Sequence, residues 1–152
     1  MSNAIPAFYR FYFKWSDPIV CLWTVWANFA IPDTVIDAFV PASTAQRNPY
    51  FDFQLQQLAG AYLALAFTSI VLLRYTSDVN IWKIWVAAIL LLDCLILYSI
   101  AYALSQQGRL GFSALRLEDW GSIIITVQAM IVRPVFLLGV GLSKDDKVTK
   151  KA

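Results

Sequence analysis

The sequence predicts an all-α fold: a four-transmembrane-helix up-down bundle with both termini on the cytoplasmic side (N-in/C-in). Three observations lead there. Hydrophobic residues make up 59% of the chain and charged residues only 14%, against about a quarter charged in soluble domains. The 152 residues amount to one domain, and a domain that small has too much surface per volume to hide this apolar content from water. Four windows each offer the roughly 20 mostly apolar residues that cross a bilayer core. Open sheet at that depth is excluded, because lipid leaves no partner for unpaired backbone groups.

The first span runs from about Phe8 to Ala30 and the second from about Gln54 to Arg74. The third runs from about Ile81 to Leu104 and the fourth from about Trp120 to Leu142. Their connections are polar: a Pro-rich stretch from Ile31 to Phe53, a tight turn from Tyr75 to Asn80, and a segment from Ser105 to Asp119 carrying Gly108 and Gly111. Residues 1–143 form a single transmembrane domain, and 144–152 a charged cytoplasmic tail. The first apolar stretch is long and aromatic and lacks a small-residue cleavage site, so no cleavable signal is expected.

Orientation follows the basic residues. With both termini inside, the inner face holds Arg10, Lys14, Arg74, Lys83, Lys144, Lys147, Lys150 and Lys151, and the outer face only Arg47, Arg109 and Arg116. Trp15, Tyr50, Tyr75, Trp82 and Trp120 lie near span ends, where amphipathic rings favour the interface.

Composition also removes chemistries. The chain has no histidine, so His-ligated metals and Ser-His or Cys-His nucleophile pairs are absent; no metal site and no cofactor is expected. A net charge of +2 gives no reason to expect nucleic acid. Cys21 and Cys94 fall in apolar stretches, where a thiol behaves as a small hydrophobe.

The polar residues inside the spans carry the functional information, because an ionisable group there costs roughly 2.5–3.5 kcal/mol even on the lenient insertion scale. Arg10, Lys14, Asp17, Cys21, Thr24 and Asn28 recur at intervals of four and three, which places them on one face of the first helix. Trp15, Leu22, Trp26 and Phe29 form its lipid-facing back. Ser122, Thr126, Met130 and Arg133 make a matching seam in the fourth span. In the second, Gly60, Ala64 and Thr68 form a small-residue row suited to close helix packing, and Gln57 is an amide that needs partners if buried. Such seams also arise from helix association alone. Asp93 is the sharpest anomaly, following Leu90, Leu91 and Leu92 in the third span.

Antiparallel spans allow depths to be compared. Asp17 lies nine residues in from Phe8 and Arg133 nine before Leu142, so each sits about 13 Å from the same membrane face. Asp93 lies deeper, at about 18 Å. Asp17 and Arg133 are therefore placed to pair, leaving Asp93 without a full partner and making it a candidate general acid. Asp17 and Arg133 also precede Pro18 and Pro134. A proline inside a helix frees the carbonyl four residues back, here those of Lys14 and Met130, and two helices kinked at matched depth are expected to open a cavity. The candidate catalytic residues are Asp93, Asp17 and Arg133. The candidate substrate-binding residues are Gln57, Tyr62, Tyr98, Trp120, Thr126 and Met130.

Several elements together carry a resemblance. They are Ile5-Pro6 and Arg10 before Asp17-Pro18; Gln57-Leu58-Ala59 with Tyr62; Asp93 with Leu97-Tyr98-Ser99; Asp119-Trp120-Gly121; and Arg133 leading into Phe136-Leu137-Leu138-Gly139-Val140-Gly141. This pattern resembles, over nearly the whole chain, a family of small fungal four-span membrane proteins of unassigned function. The closing arginine and Gly-Val-Gly element is its most specific part. The family often shows a histidine three residues after the third-span aspartate, where this chain has Ile96, and often Glu at the position of Asp17. More loosely, the layout resembles emopamil-binding-protein-like sterol isomerases and small membrane terpene cyclases of fungal secondary metabolism. That resemblance implies that intramembrane carboxylates and aromatic rings protonate or steer a lipophilic substrate.

Three function classes stand on the sequence. One is a cyclase or isomerase of terpenoid, sterol or polyketide biosynthesis, with the lipid bilayer and a lipophilic small molecule as partners. The second is a non-catalytic membrane scaffold or lipid-binding subunit. The third is a small transporter, which would need a homo-oligomer to form a pore. The endoplasmic reticulum is the expected membrane.

Overall fold

The computed structural model of the chain describes residues 4–143; the charged tail expected at 144–152 lies outside the described residues. Those residues form an all-α fold with no strand among them. Helix α1 (Ala7–Ala30) contains a π-helical turn at Tyr12–Ser16. It is followed by α2 (Pro32–Phe39), α3 (Asp52–Tyr75), α4 (Val79–Gln106) and α5 (Leu117–Leu137), with 3-10 turns at Pro49–Phe51 and Phe112–Ala114.

The 24, 28 and 21 residues of α3, α4 and α5 give lengths of roughly 36, 42 and 32 Å, each enough for a hydrocarbon core of about 30 Å. All three are apolar enough to cross a membrane. The charge-bearing α1 meets the same criterion together with α2, which turns away by 109° at the break after Ala30. The described residues thus hold three such helices, or four if the bent pair is one span, and the chain is an integral membrane protein.

Local chemistry explains where the elements depart from the sequence expectation. The connection from Ile31 to Phe53, expected as a polar, Pro-rich stretch, holds α2, started by Pro32, whose fixed φ and missing N–H suit a first helical position. Helix α5 begins before Trp120 because the Asp119 carboxylate accepts the Arg116 backbone N–H at 2.7 Å, satisfying an end group. It stops before Leu142 because Gly139 and Gly141 take φ of +82° and +78°, a left-handed conformation that glycine adopts without penalty. The chain then turns back, and Ser143 N–H donates to the Ala4 carbonyl at 3.2 Å.

Pro18 reshapes α1. Without its N–H the regular ladder is interrupted, and the Asp17 N–H reaches back five residues to the Tyr12 carbonyl. The Lys14 carbonyl freed by Pro18 accepts Arg74 Nη2 from α3 at 3.2 Å. The π turn inserts one residue's rotation between Lys14 and Asp17, so the six-residue seam of an ideal helix is split. Lys14 lies with its Nζ 5.2 Å from the centre of the Trp82 ring, whereas Asp17, Cys21 and Thr24 face the bundle interior. Trp15, Leu22, Trp26 and Phe29 are exposed along the back, as expected for a lipid-facing surface.

Two helix pairs build the bundle: α1 lies along α3, and α4 along α5. The buried face of α3 is Ala59, Ala66, Ser69 and Leu73, not the expected row of Gly60, Ala64 and Thr68, whose first two members are exposed. Ser69 Oγ accepts the Trp85 indole N–H at 3.0 Å, linking α3 to α4. The pairs join through an aromatic core beside the start of α1. Phe13, Trp82 and Phe136 are fully buried there, and Phe136 meets Tyr9 and Phe13 edge-on at 5.0 and 5.2 Å between ring centres. Such edge-to-face contacts suit the ring quadrupoles and add to the area that they bury.

Candidate functional site

Between the helix pairs three charged side chains meet. Arg133 of α5 is buried, with 4% of its surface exposed. Its Nη2 donates to Asp17 Oδ2 of α1 at 2.9 Å, and its Nη1 donates to Asp93 Oδ2 of α4. The pairing of Asp17 with Arg133 agrees with their matched depth. The expectation that Asp93 lacks a partner is corrected: the guanidinium fork presents two separate NH2 groups, so one arginine serves carboxylates from two helices. Two carboxylates share one cation, and the Arg133 Nε is buried with no hydrogen-bond partner.

This cluster forms part of the wall of a cavity of about 300 Å³. Helix α1 contributes Tyr12, Ser16, Asp17, Val20, Cys21, Trp23 and Thr24, and α3 contributes Tyr62 and Leu65. Ile89, Leu92, Asp93, Ile96 and Ile100 come from α4; Ser122, Ile125, Thr126, Gln128, Ala129 and Arg133 come from α5. Phe39 of α2 also lines it. Helix α2 is fastened to the loop before α5, with Arg116 Nη1 donating to Asp37 Oδ2 at 3.4 Å and Gln107 Nε2 donating to the Phe39 carbonyl at 2.9 Å. The result is a mostly apolar chamber with ionic and hydroxyl groups grouped on part of its wall, the usual composition of a site for an apolar small molecule.

The family model described as "Domain of unknown function (DUF7704)" matches residues 2–143. The chain belongs to the DUF7704 family. No curated protein and no solved structure matches it.

In this DUF7704 member the cavity collects five of the nine residues singled out from the sequence: Asp17, Asp93, Arg133, Tyr62 and Thr126. The other four lie elsewhere. Gln57 is exposed on α3, away from the face formed by Ala59 and Ala66. Tyr98 is 68% exposed and stacks on Tyr102 along the outside of α4. Trp120 stacks on Phe112 at 5.9 Å and borders a shallow apolar groove with Ile123, Val127 and Ile131. Met130 is half-buried beside the wall, because Ser122, Thr126, Ala129 and Arg133 form the stripe that faces inward.

The sequence reading missed Tyr12, Ser16, Phe39 and Gln128. Tyr12 is five residues before Asp17, a separation that faces apart in an α-helix and together only across a π turn; Pro18 was the available signal. Gln128 is a lone amide in an apolar span, the same signal that Gln57 carries. Cys21 lines the cavity and Cys94 is exposed, both as free thiols.

Proposed function

We propose that this DUF7704 protein is a membrane-embedded enzyme of cyclase or isomerase type acting on a lipophilic terpenoid, sterol or polyketide intermediate. The observation that carries this reading is the Asp17–Arg133–Asp93 cluster facing an apolar cavity. A scaffold can use the ion cluster to tie its helices together, but it gains nothing from the void beside it, which forfeits the packing contacts of its lining. An enzyme uses both, because preorganised charges in a water-poor chamber act strongly on charge that develops during reaction.

In this reading Asp93 is the acid or base that exchanges a proton with the substrate. Arg133 holds both carboxylates in place and polarises a substrate oxygen, and Asp17 fixes the guanidinium. The Tyr12 and Tyr62 rings stabilise developing positive charge, and Thr126 helps shape the wall. At about 300 Å³ the chamber is at the small end of ligand pockets, which favours an intermediate of modest size or one held only by its reacting end. The bent α1–α2 unit is the first of four spans, N-in/C-in. This topology is supported by Arg10, Lys14, Arg74 and Lys83 at one end of the bundle and Arg47, Arg109 and Arg116 at the other, where each is paired with a carboxylate.

The test is deletion in the source organism with untargeted comparison of lipophilic metabolites, followed by rescue. Accumulation of an intermediate that the wild-type chain clears and a folded Asp93→Asn variant does not clear is the expected result. Full rescue by that variant overturns the enzymatic reading in favour of a scaffold or lipid-binding subunit.

A further inference from the structure

The two ends of the bundle treat their charges differently. At the α2 end every described arginine meets a carboxylate: Arg47 meets Asp33 and Asp52, Arg109 meets Asp119, and Arg116 meets Asp37 and Asp119. At the opposite end Arg10 lies four residues before Lys14 on α1 and Arg74 reaches the Lys14 carbonyl, and none of the three is in an ion pair among the described residues. The carboxylates closest to Lys14 and Arg74 in sequence, Asp17 and Asp78, make other bonds. Asp17 holds Arg133, and Asp78 accepts the Asn80 N–H at 2.7 Å at the start of α4.

These cations are held in place rather than left to wander. The Arg74 guanidinium lies 4.5 Å from the centre of the Trp15 ring and donates to the carbonyls of Ile70 and Lys14 at 3.0 and 3.2 Å. The Lys14 acceptor exists because Pro18 removed its usual donor. Lys14 is seated on Trp82, and the Arg10 Nε is buried without a partner. Cation–π seating fixes a side chain but leaves its positive charge uncompensated. Three like charges gathered by aromatic rings and a backbone defect attract anions. Arg74 lies in the last turn of α3 and Arg10 roughly 5 Å from the start of α1, at the ends of their spans, and Lys14 lies roughly 10 Å from that start, within reach of the interface by snorkelling.

We propose that Arg10, Lys14 and Arg74 form a binding site for the phosphate group of an anionic membrane lipid. Guanidinium and ammonium donors suit phosphate oxygens, and the exposed Trp15 ring beside Arg74 is of the kind that favours the membrane interface. The site is separate from the cavity and independent of any catalytic role.

Thermal unfolding of the purified full chain in detergent micelles tests this, with dioleoylphosphatidic acid, dioleoylphosphatidylcholine or inorganic phosphate added. Phosphatidic acid is expected to raise Tm in a saturable manner and phosphatidylcholine to leave it unchanged. Lys14→Gln and Arg10→Gln should each weaken the apparent lipid affinity about fivefold, the effect of one basic residue at an anionic surface. Arg74→Gln should weaken it further, and the other two variants keep the test open if that one fails to fold. Equal stabilisation by phosphatidylcholine, or wild-type affinity in all folded variants, overturns the proposal. The same shift from inorganic phosphate alone overturns the assignment to a lipid.

Discussion

Arg133 Nη2 donates to Asp17 Oδ2 at 2.9 Å across 116 positions of sequence, and that bond joins α5 to α1. With its second bond to Asp93, the same guanidinium ties together the two helix pairs at the place where they part around the cavity.

Replacing Arg133 is therefore expected to cost far more than a single contact. Arg133→Leu leaves two buried carboxylates without their cation, and breaking a buried pair in this way costs about 3–5 kcal/mol. Thermal unfolding in detergent should show a large drop in Tm, whereas Asp17→Asn and Asp93→Asn, which keep an amide acceptor, should show smaller ones. A neutral Arg133→Leu substitution would remove the cluster from any structural role.

The carboxylates should separate by activity rather than by stability. If Asp93 exchanges the proton, Asp93→Asn should lower turnover in reconstituted membranes by roughly 10²–10⁴-fold, the usual contribution of a positioned acid or base. Asp17→Asn should lose less, since Asp17 acts through Arg133. Equal losses would give the two carboxylates one shared role.

Filling the cavity should abolish ligand binding while leaving the fold intact. Ala129 faces the chamber from the middle of the α5 stripe, so Ala129→Leu places added atoms in empty space rather than against packed neighbours. Cys21 supplies the readout: in a Cys94→Ser background, its labelling by a small lipophilic maleimide should slow when ligand is bound or when Ala129→Leu is present. Unchanged labelling in both cases would mean that the chamber is not an accessible site.

Pro18→Ala has an unusual expected sign. Removing a proline from a helix interior ordinarily helps, but here the restored N–H competes for the Lys14 carbonyl and closes the π turn. That releases Arg74 and rotates the residues before Tyr12 by about 100°, one residue of an α-helix, pulling Tyr9 away from Phe136. Tm should fall; a rise would show that the π turn is incidental.

Topology is checked by impermeant thiol labelling of single cysteines in sealed membranes. Tyr50→Cys and Ser77→Cys lie in connections at opposite ends of the bundle, so one should label from outside and the other only after permeabilisation.

The helices and the Asp17–Arg133 pair were legible in the sequence because hydropathy and a 1.5 Å rise depend only on residue order. Depth along a span follows from counting. Azimuth does not, once a π turn shifts the phase: that is why Tyr12 was missed and the seam through Arg10 and Lys14 was drawn too straight. Tyr98 and Trp120 were placed at the site because aromatic rings suit a pocket, yet such rings suit a lipid-facing surface equally well. Asp93 was expected to stand alone because counting charges one to one overlooks that a guanidinium can divide itself between two acceptors. Helix α2 was missed although Ile31, Val35, Ile36 and Phe39 recur at helical spacing around Pro32, because its eight residues are too short to stand out by hydropathy beside the long spans.

The 116-position separation of Asp17 and Arg133 has a consequence for biogenesis. A chain made from its N-terminus delivers Asp17 to the insertion machinery long before Arg133 has been synthesised, and Asp93 follows while both still lack their cation. The first helices must therefore be sheltered, by the translocon or a membrane chaperone, until the last helix arrives. Truncation upstream of Arg133 should leave a protein that quality control recognises by its orphaned carboxylates, so the charge cluster acts as an assembly checkpoint as well as part of a site.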